Sequence, residues 1–394
     1  MESERIVRRK NTQQHRYVGV MVRSAANGSA EEWKQYRRLS RFAERLGLHV
    51  IVFSFDDISW VSRTVTGYRY ASEQKVWVRR TVPMPGAIYD RVFCKTRGQL
   101  CKLRATIGRL ERAYQGSLLG NGLRGKWIVY RLLEQDDTLR PSLPRTTLYK
   151  GAETLDLWLA DAGEAVLKPR DGTHGKGVVH AACTGKSRCE VIGRDAGNRR
   201  IYRRFADVPA LRRWIDGSLI QGRPYLVQQY LTLTTEEGFP FDIRALVQKD
   251  GSGQWRLTGT ALRIGPKGGF TSNLHGGGRA MSPAPFLARL YGERRAESIL
   301  TDIEKKSLTV PSVLERTHGP LLELGIDFGV DRLGRLWLLE VNSKPGRASF
   351  LQLGDKKTAI AAVTRPIRYA RYVLDRQLGG QKYEFDCKQA SLYS

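Results

Sequence analysis

The chain has 394 residues, 41% hydrophobic and 27% charged, with a formal net charge of +27. This length predicts two or three domains sharing a large core, and no apolar run approaches the roughly 20 residues that span a bilayer, so no membrane association is expected. The charge favours polyanions, whether acidic polypeptide, phosphorylated ligand or nucleic acid, with a plain solubility role standing beside them. Nucleic acid is disfavoured because arginine is dispersed and no zinc-finger, homeodomain or RNP-type signature focuses it.

Residues 1–16 form a polar, basic lead-in without the apolar stretch of a signal peptide, which predicts a cytoplasmic protein. Cys94, Cys101, Cys183, Cys189 and Cys387 lack the paired spacing of a zinc site and are expected as free thiols. A buried strand is predicted at 17–22. A helix follows at 31–46, from the spacing of Trp33, Tyr36, Leu39, Phe42, Ala43 and Leu46, and Gly47 stops it before a strand at 49–53. With strands at 77–83 and 87–93, this βαβ unit predicts an α/β domain over 17–120. A basic helix at 99–114 precedes a glycine-rich break at 116–125, which marks a domain boundary, and Lys126 opens another helix. Beyond Pro141 and Pro144 the pattern predicts a helix at 153–162, strands alternating with short helices over 165–342, a last helix at 360–378 and a tail at 379–394.

Four segments carry chemistry. In the first, Lys168 ends a strand and is followed by Gly172, Thr173, His174, Gly175, Lys176 and Gly177 before another strand. Glycines let backbone N–H groups approach phosphate oxygens. No helix follows, so neither a Walker A loop nor a dinucleotide fingerprint fits, and taken alone the segment reads as a glycine-rich hairpin. In the second, the apolar strand ending in Gln228 and Gln229 suits the edge of an adenine ring. In the third, Asp242 and Arg244 share one face of a strand. There Arg244 could stabilise a phosphoryl group in transfer, or both could make cross-strand ion pairs. Arg263 on a further strand and Asn273 in a triple-glycine segment lie beyond them. In the fourth, Glu340 and Asn342 alternate on one strand face, with Asp327 on the preceding strand as partner carboxylate. These are hard oxygen donors of the kind that hold Mg²⁺.

The order of these motifs over residues 126–346 resembles the ATP-grasp superfamily, and the runs around Lys126, Lys168 and Glu340 are most similar to its YheC/YheD-type endospore coat-associated branch. The resemblance implies an α/β and α+β architecture. An ATP-grasp fold at 121–378, two α+β subdomains sandwiching ATP with a smaller lid at about 165–230, would follow an N-terminal α/β pre-ATP-grasp domain. It implies that Lys126 and Lys168 contact phosphates while Gly172, Thr173, His174, Gly175 and Gly177 close over them. Gln228 and the backbone at Gln229, Tyr230 and Leu231 would hold adenine, although the family hinge often carries glutamate where this chain has glutamine. Asp327, Glu340 and Asn342 would bind Mg²⁺, and Arg244, Asn273 and Arg263 would face the reacting groups. The implied activity is an ATP-dependent carboxylate–amine ligase that works through an acyl phosphate, releases ADP and phosphate, and uses no protein nucleophile. Its substrates would be a carboxylate and an amine, with an acidic peptide or protein of the spore coat as the polyanion. A phosphotransferase and a structural coat protein that keeps the fold are the alternatives. The resemblance places the protein in the mother-cell cytoplasm or the spore coat.

Overall fold

Apolar runs and two-residue alternation sort the strands of this chain into three sheets. The computed structural model describes residues 16–25, 28–94, 96–171, 175–184, 188–269, 272 and 277–377. In the first sheet β1 (Tyr17–Val22) pairs in parallel with β2 (His49–Ser59) and β5 (Ala87–Asp90), and β3 (Thr64–Ala71) and β4 (Val76–Pro83) extend it antiparallel, in the order β4-β3-β2-β1-β5. Helix α1 (Ala30–Arg45) starts at a capping box in which Ser29 and Glu32 bond each other's backbone N–H. It packs Tyr36 and Leu39 on one face of the sheet, and α2 (Arg97–Ala113) packs Leu103 and Leu110 on the other.

Two differences from the predicted pattern have local causes. Strand β3 carries no continuous apolar run and is broken in the middle by Gly67. A Cβ there would meet the Val52 carbonyl oxygen at 2.4 Å, so only glycine lets β3 lie this close to β2. Strand β5 ends at Asp90 and not at 93, because the Asp90 carboxylate accepts the Val92 N–H at 2.8 Å and turns the chain.

Helix α3 (Lys126–Leu133) leads into the second sheet, which is antiparallel throughout. Its strands are β6 (Thr146–Leu148), β7 (Glu164–Pro169), β8 (Val179–Cys183), β9 (Cys189–Arg194), β10 (Arg200–Phe205) and β11 (Tyr225–Gln228), in the order β10-β9-β8-β7-β11-β6. Helices α4 (Ala152–Ala162) and α5 (Val208–Trp214) cover one face through Leu155, Trp158 and Leu211. Cys183 and Cys189 stand opposite each other on β8 and β9 and are joined by a disulfide, with S–S 2.05 Å and Cα–Cα 4.1 Å. This corrects the expectation of free thiols, because hairpin register brings two cysteines six residues apart onto one rung. Cys94 and Cys101 are free, and Cys387 lies outside the described residues.

The third sheet is also antiparallel, with β12 (Phe241–Lys249), β13 (Trp255–Ile264), β14 (Arg279–Met281), β15 (Glu323–Val330) and β16 (Leu336–Asn342) in the order β14-β13-β12-β15-β16. Where short helices were expected, α6 (Pro283–Tyr291) is followed by the 26-residue α7 (Glu293–His318), whose Ile299, Ile303, Val310 and Leu314 pack under the sheet. After the short α8 (Ala348–Gln352), α9 (Lys356–Gln377) leaves the third sheet and buries Val363, Ile367, Ala370 and Leu374 in the same core as Val18, Val20 and Leu39. Fully burying a side chain such as Ile367 or Leu374 contributes roughly 1.5–3 kcal/mol, more than an exposed ion pair at about 0–1 kcal/mol. Packing along α9 therefore helps to hold the first sheet against the third. No helix among the described residues is long and apolar enough to cross a membrane.

Candidate active site

Alternation on β12 sends Phe241, Ile243, Ala245 and Val247 into the core against α7, which leaves Asp242 and Arg244 on the opposite face. Strand β15 repeats the pattern, with Leu324, Ile326 and Phe328 inward and Asp327 outward. Register then places Arg244 opposite Asp327, Asp242 opposite Arg263, and Asp327 opposite Glu340. A register shift after Asp327 leaves Leu339 as an extra residue between Leu338 and Glu340, so Leu338 and Val341 stay in the core while Glu340 turns outward.

Asp242 and Arg244 do make cross-strand ion pairs, though with other strands and not with each other. Arg263 donates to both Asp242 carboxylate oxygens at 2.6 Å and reaches Asp327 at 3.1 Å. Arg244 donates to Asp327 through Nε and through Nη2, the latter at 2.9 Å. Burial pushes the Asp327 carboxyl up, but Arg244 and Arg263 outweigh it and hold Asp327 below the usual carboxylate range. The same carboxylates hold the Arg263 guanidinium proton more firmly than usual, against the opposing effect of burial. For Asp242, burial pushes the carboxyl up while the bidentate Arg263 pulls it down.

Beside this charged face lies an open cleft between β16 and α3 on one side and β6, β7 and β11 on the other. Val129, Leu133, Leu143 and Leu226 give it apolar walls, and Lys126, Lys168, Gln228 and Glu340 give it polar ones. The Lys126 ammonium lies 3.3 Å from the Glu340 carboxylate. The Lys168 ammonium donates to the Gln228 side-chain oxygen at 2.9 Å, and the Gln228 amide donates to the Thr146 hydroxyl at 2.8 Å. Burial lowers the Lys168 pKa to about 8, the neighbouring Lys126 charge adds to the fall, and Glu340 opposes it. Two lysines so close together, one of them weakened as a cation, form a site that gains from an incoming anion.

Of the residues singled out in the sequence, Lys126, Lys168, Gln228 and Glu340 line this one cavity. Arg244, Arg263 and Asp327 form the ion-pair network beside it, and Asn342 follows two residues after Glu340, opposite Gly325. Gln229, Tyr230 and Leu231 lie beyond the lining. The Gln229 N–H donates to the Arg145 carbonyl at 2.8 Å, and the Tyr230 ring stacks on His180 at 3.8 Å between centroids. Gly175 and Gly177 both adopt positive φ, and a Cβ on Gly177 would meet the Tyr225 hydroxyl at 2.8 Å. Gly172, Thr173, His174 and Asn273 lie outside the described residues. Sequence reasoning named the apolar strand that carries Leu226 but missed the other apolar walls. Val129 and Leu133 were findable from their four-residue spacing after Lys126, whereas nothing local marks Leu143 or Thr146.

Asp327, Glu340 and Asn342 supply only oxygen donors, which suits Mg²⁺. No group of three or more Asp, Glu, His or Cys side chains able to hold a metal ion occurs among the described residues. A metal here therefore needs the Asn342 amide and ligand phosphates to complete its shell, the usual arrangement for Mg²⁺ bound with a nucleotide.

Three kinds of likeness agree with this geometry. A family model described as YheC/D like ATP-grasp matches residues 115–373. The chain is 29% identical over 341 residues to the endospore coat-associated protein YheC of Bacillus subtilis (strain 168), covering 86% of this chain and 92% of the relative. It is 27% identical over 354 residues to the endospore coat-associated protein YheD of the same strain, covering 87% and 74%. A solved structure of the ATP-grasp ligase PsnB, complexed with minimal precursor, Mg and ADP, matches with a TM-score of 0.51 at 13% identity over 91% of this chain and 98% of that one, a likeness of fold. This chain is a member of the YheC/D-like ATP-grasp family and has the ATP-grasp fold.

Proposed function

We propose that the protein is an ATP-dependent carboxylate–amine ligase that activates a carboxylate as an acyl phosphate and releases ADP and phosphate. The observation that carries this reading is the convergence of Lys126, Lys168, Gln228 and Glu340 on a single cavity with apolar walls. In this reading the apolar end takes the adenine ring and the lysines take the phosphates. Asp327, Glu340 and Asn342 would hold Mg²⁺, which when bound would offset the charge of the phosphates and polarise the transferring group. Arg244, on the same sheet face as Glu340, would neutralise a carboxylate meeting the terminal phosphate. The amine acceptor then displaces phosphate, and the glycine segment ending at Gly177 excludes water in the interval.

The names of the relatives support a substrate linked to the endospore coat. The net charge of +27 supports an acidic polypeptide as that substrate. Hydroxylamine trapping tests the reaction. With Mg²⁺, ATP, candidate acidic peptides and hydroxylamine, a ligase of this kind yields a peptide hydroxamate together with ADP. A phosphorylated peptide that survives hydroxylamine would replace this reading with phosphotransfer.

A further inference from the structure

The face of the second sheet that borders the nucleotide cavity continues well past it. Residues directly opposite in antiparallel pairs share a face, so the registers define a single row, Tyr202–Ile192–His180–Val166–Gln228–Thr146, across all six strands. One end of the row, Gln228 and Thr146, lines the cavity. The other end reaches β9 and edge strand β10, where Ile192 is 39% exposed and Tyr202 55%. Helices α4 and α5 cover the opposite face, so this end has no protein over it among the described residues.

Arginines flank the exposed end. Arg200 lies opposite Arg194 on one side of Tyr202, and Arg204 lies opposite Glu190 on the other. Arg204 donates to the Tyr202 hydroxyl at 2.6 Å, and Arg194 donates to the Asn198 carbonyl at 3.0 Å. Arg194, Arg200 and Arg204 make no ion pair among the described residues. Charges on an edge strand often serve only to prevent pairing. That purpose does not call for an exposed tyrosine and isoleucine on the same face, in line with the nucleotide cavity.

We propose that β10 is a docking edge for an acidic polypeptide, which adds to the sheet as a further strand. Its backbone would bond the open edge of β10, an apolar side chain would pack on Tyr202, and acidic side chains two residues to either side of it would meet Arg200 and Arg204, which share a face with Tyr202. This rests on the ligase reading and names where that enzyme holds its polypeptide substrate. A strand added here runs alongside β10 and crosses the far end of the row, so the docked segment is held at the sheet edge opposite the cavity and the rest of the polypeptide crosses the exposed face to reach it.

The test uses a fluorescent peptide of about ten residues repeating Glu-Thr-Val-Thr, which puts Glu and Val by turns on one strand face, with the full-length protein and Mg²⁺–ADP present. Binding should slow amide exchange over 200–205. The R200E/R204E double variant should weaken binding at least ~10-fold, and Tyr202→Ala should weaken it too, while ADP affinity stays unchanged in both. If the wild type binds no acidic peptide, the acidic-substrate reading falls and this proposal with it. If the wild type binds but both variants bind equally well, or if protection appears away from β10, the docking edge is wrong and the reading survives. Displacement of the peptide by oligo-U, with the same amides protected at comparable affinity, would overturn the polypeptide assignment in favour of RNA.

Discussion

The Lys126 ammonium meets the Glu340 carboxylate at 3.3 Å, joining the first turn of α3 to β16 across 214 residues of chain. Both side chains are partly exposed, and a pair of this kind contributes about 0–1 kcal/mol. It therefore adds little to stability, and in the proposed function its role is in ligand binding. It keeps a cation and a carboxylate poised where a phosphate and its metal would each take one partner.

Glu340→Gln should lower ATP turnover by at least ~100-fold, as when a group that stabilises transferring charge is lost, and should leave the melting temperature within a few degrees of wild type. Parallel activity and calorimetric melting measurements check this. Normal turnover in a folded Gln variant would remove Glu340 from the chemistry.

Nucleotide affinity should fall as pH rises above about 8. Without nucleotide Lys168 titrates near 8, and bound phosphate favours its charged form, so binding above that pH takes up a proton. Affinity should then drop by up to ~10-fold per pH unit until the pKa of the complex is reached, and below 8 Lys168 contributes no slope. The sign for stability is opposite. A folded pKa below the ordinary lysine value of 10.5 means that charged Lys168 opposes folding below pH 8, and that this penalty is relieved between 8 and 10.5. Gln228→Glu should move the break in affinity to higher pH by giving Lys168 an anionic partner, and titrations of ADP from pH 7 to 10 would show it.

Arg263→Met should destabilise the protein by about 3–5 kcal/mol, because it leaves the buried Asp242 carboxylate without its bidentate partner. Replacing Asp242 with Leu in the same protein should restore part of the loss. Denaturant midpoints of the single and double variants measure both effects.

Arg347→Met should cost a similar ~3–5 kcal/mol. Arg347 bonds the buried Glu323 at 2.8 Å and the Tyr89 hydroxyl at 2.9 Å, and so ties β5 of the first sheet to β15 of the third. The expected signature is lower stability with the Lys168-dependent break in nucleotide affinity kept. A variant as stable as wild type would show that packing along α9 alone holds this seam.

Local chemistry made part of the candidate site legible. Lys126 follows a glycine-rich break, Lys168 ends a strand, and Glu340 and Asn342 share the two-residue alternation of β16, so each could be named without knowing its neighbours. The pairing of charges could not be read this way. Asp242 and Arg244 sit two apart on one face, but which strands flank β12 is a non-local fact, and β13 and β15 supply Arg263 and Asp327. The same limit hid the Cys183–Cys189 disulfide, which follows from hairpin register, and strand β3, whose interior Gly67 interrupts the pattern. Helix α7 was hidden by Pro311 inside it and by its charged outer face, which break the apolar periodicity into shorter pieces.

Photolabelling with 8-azido-ATP and Mg²⁺, followed by peptide mapping, tests the nucleotide cavity most directly, because the azide sits on the adenine ring. Labelling should fall in the walls around Val129, Leu133, Leu143 and Leu226, should be suppressed by excess ATP, and should weaken in Lys168→Met. ATP-suppressible labelling confined to peptides away from these walls would contradict the account.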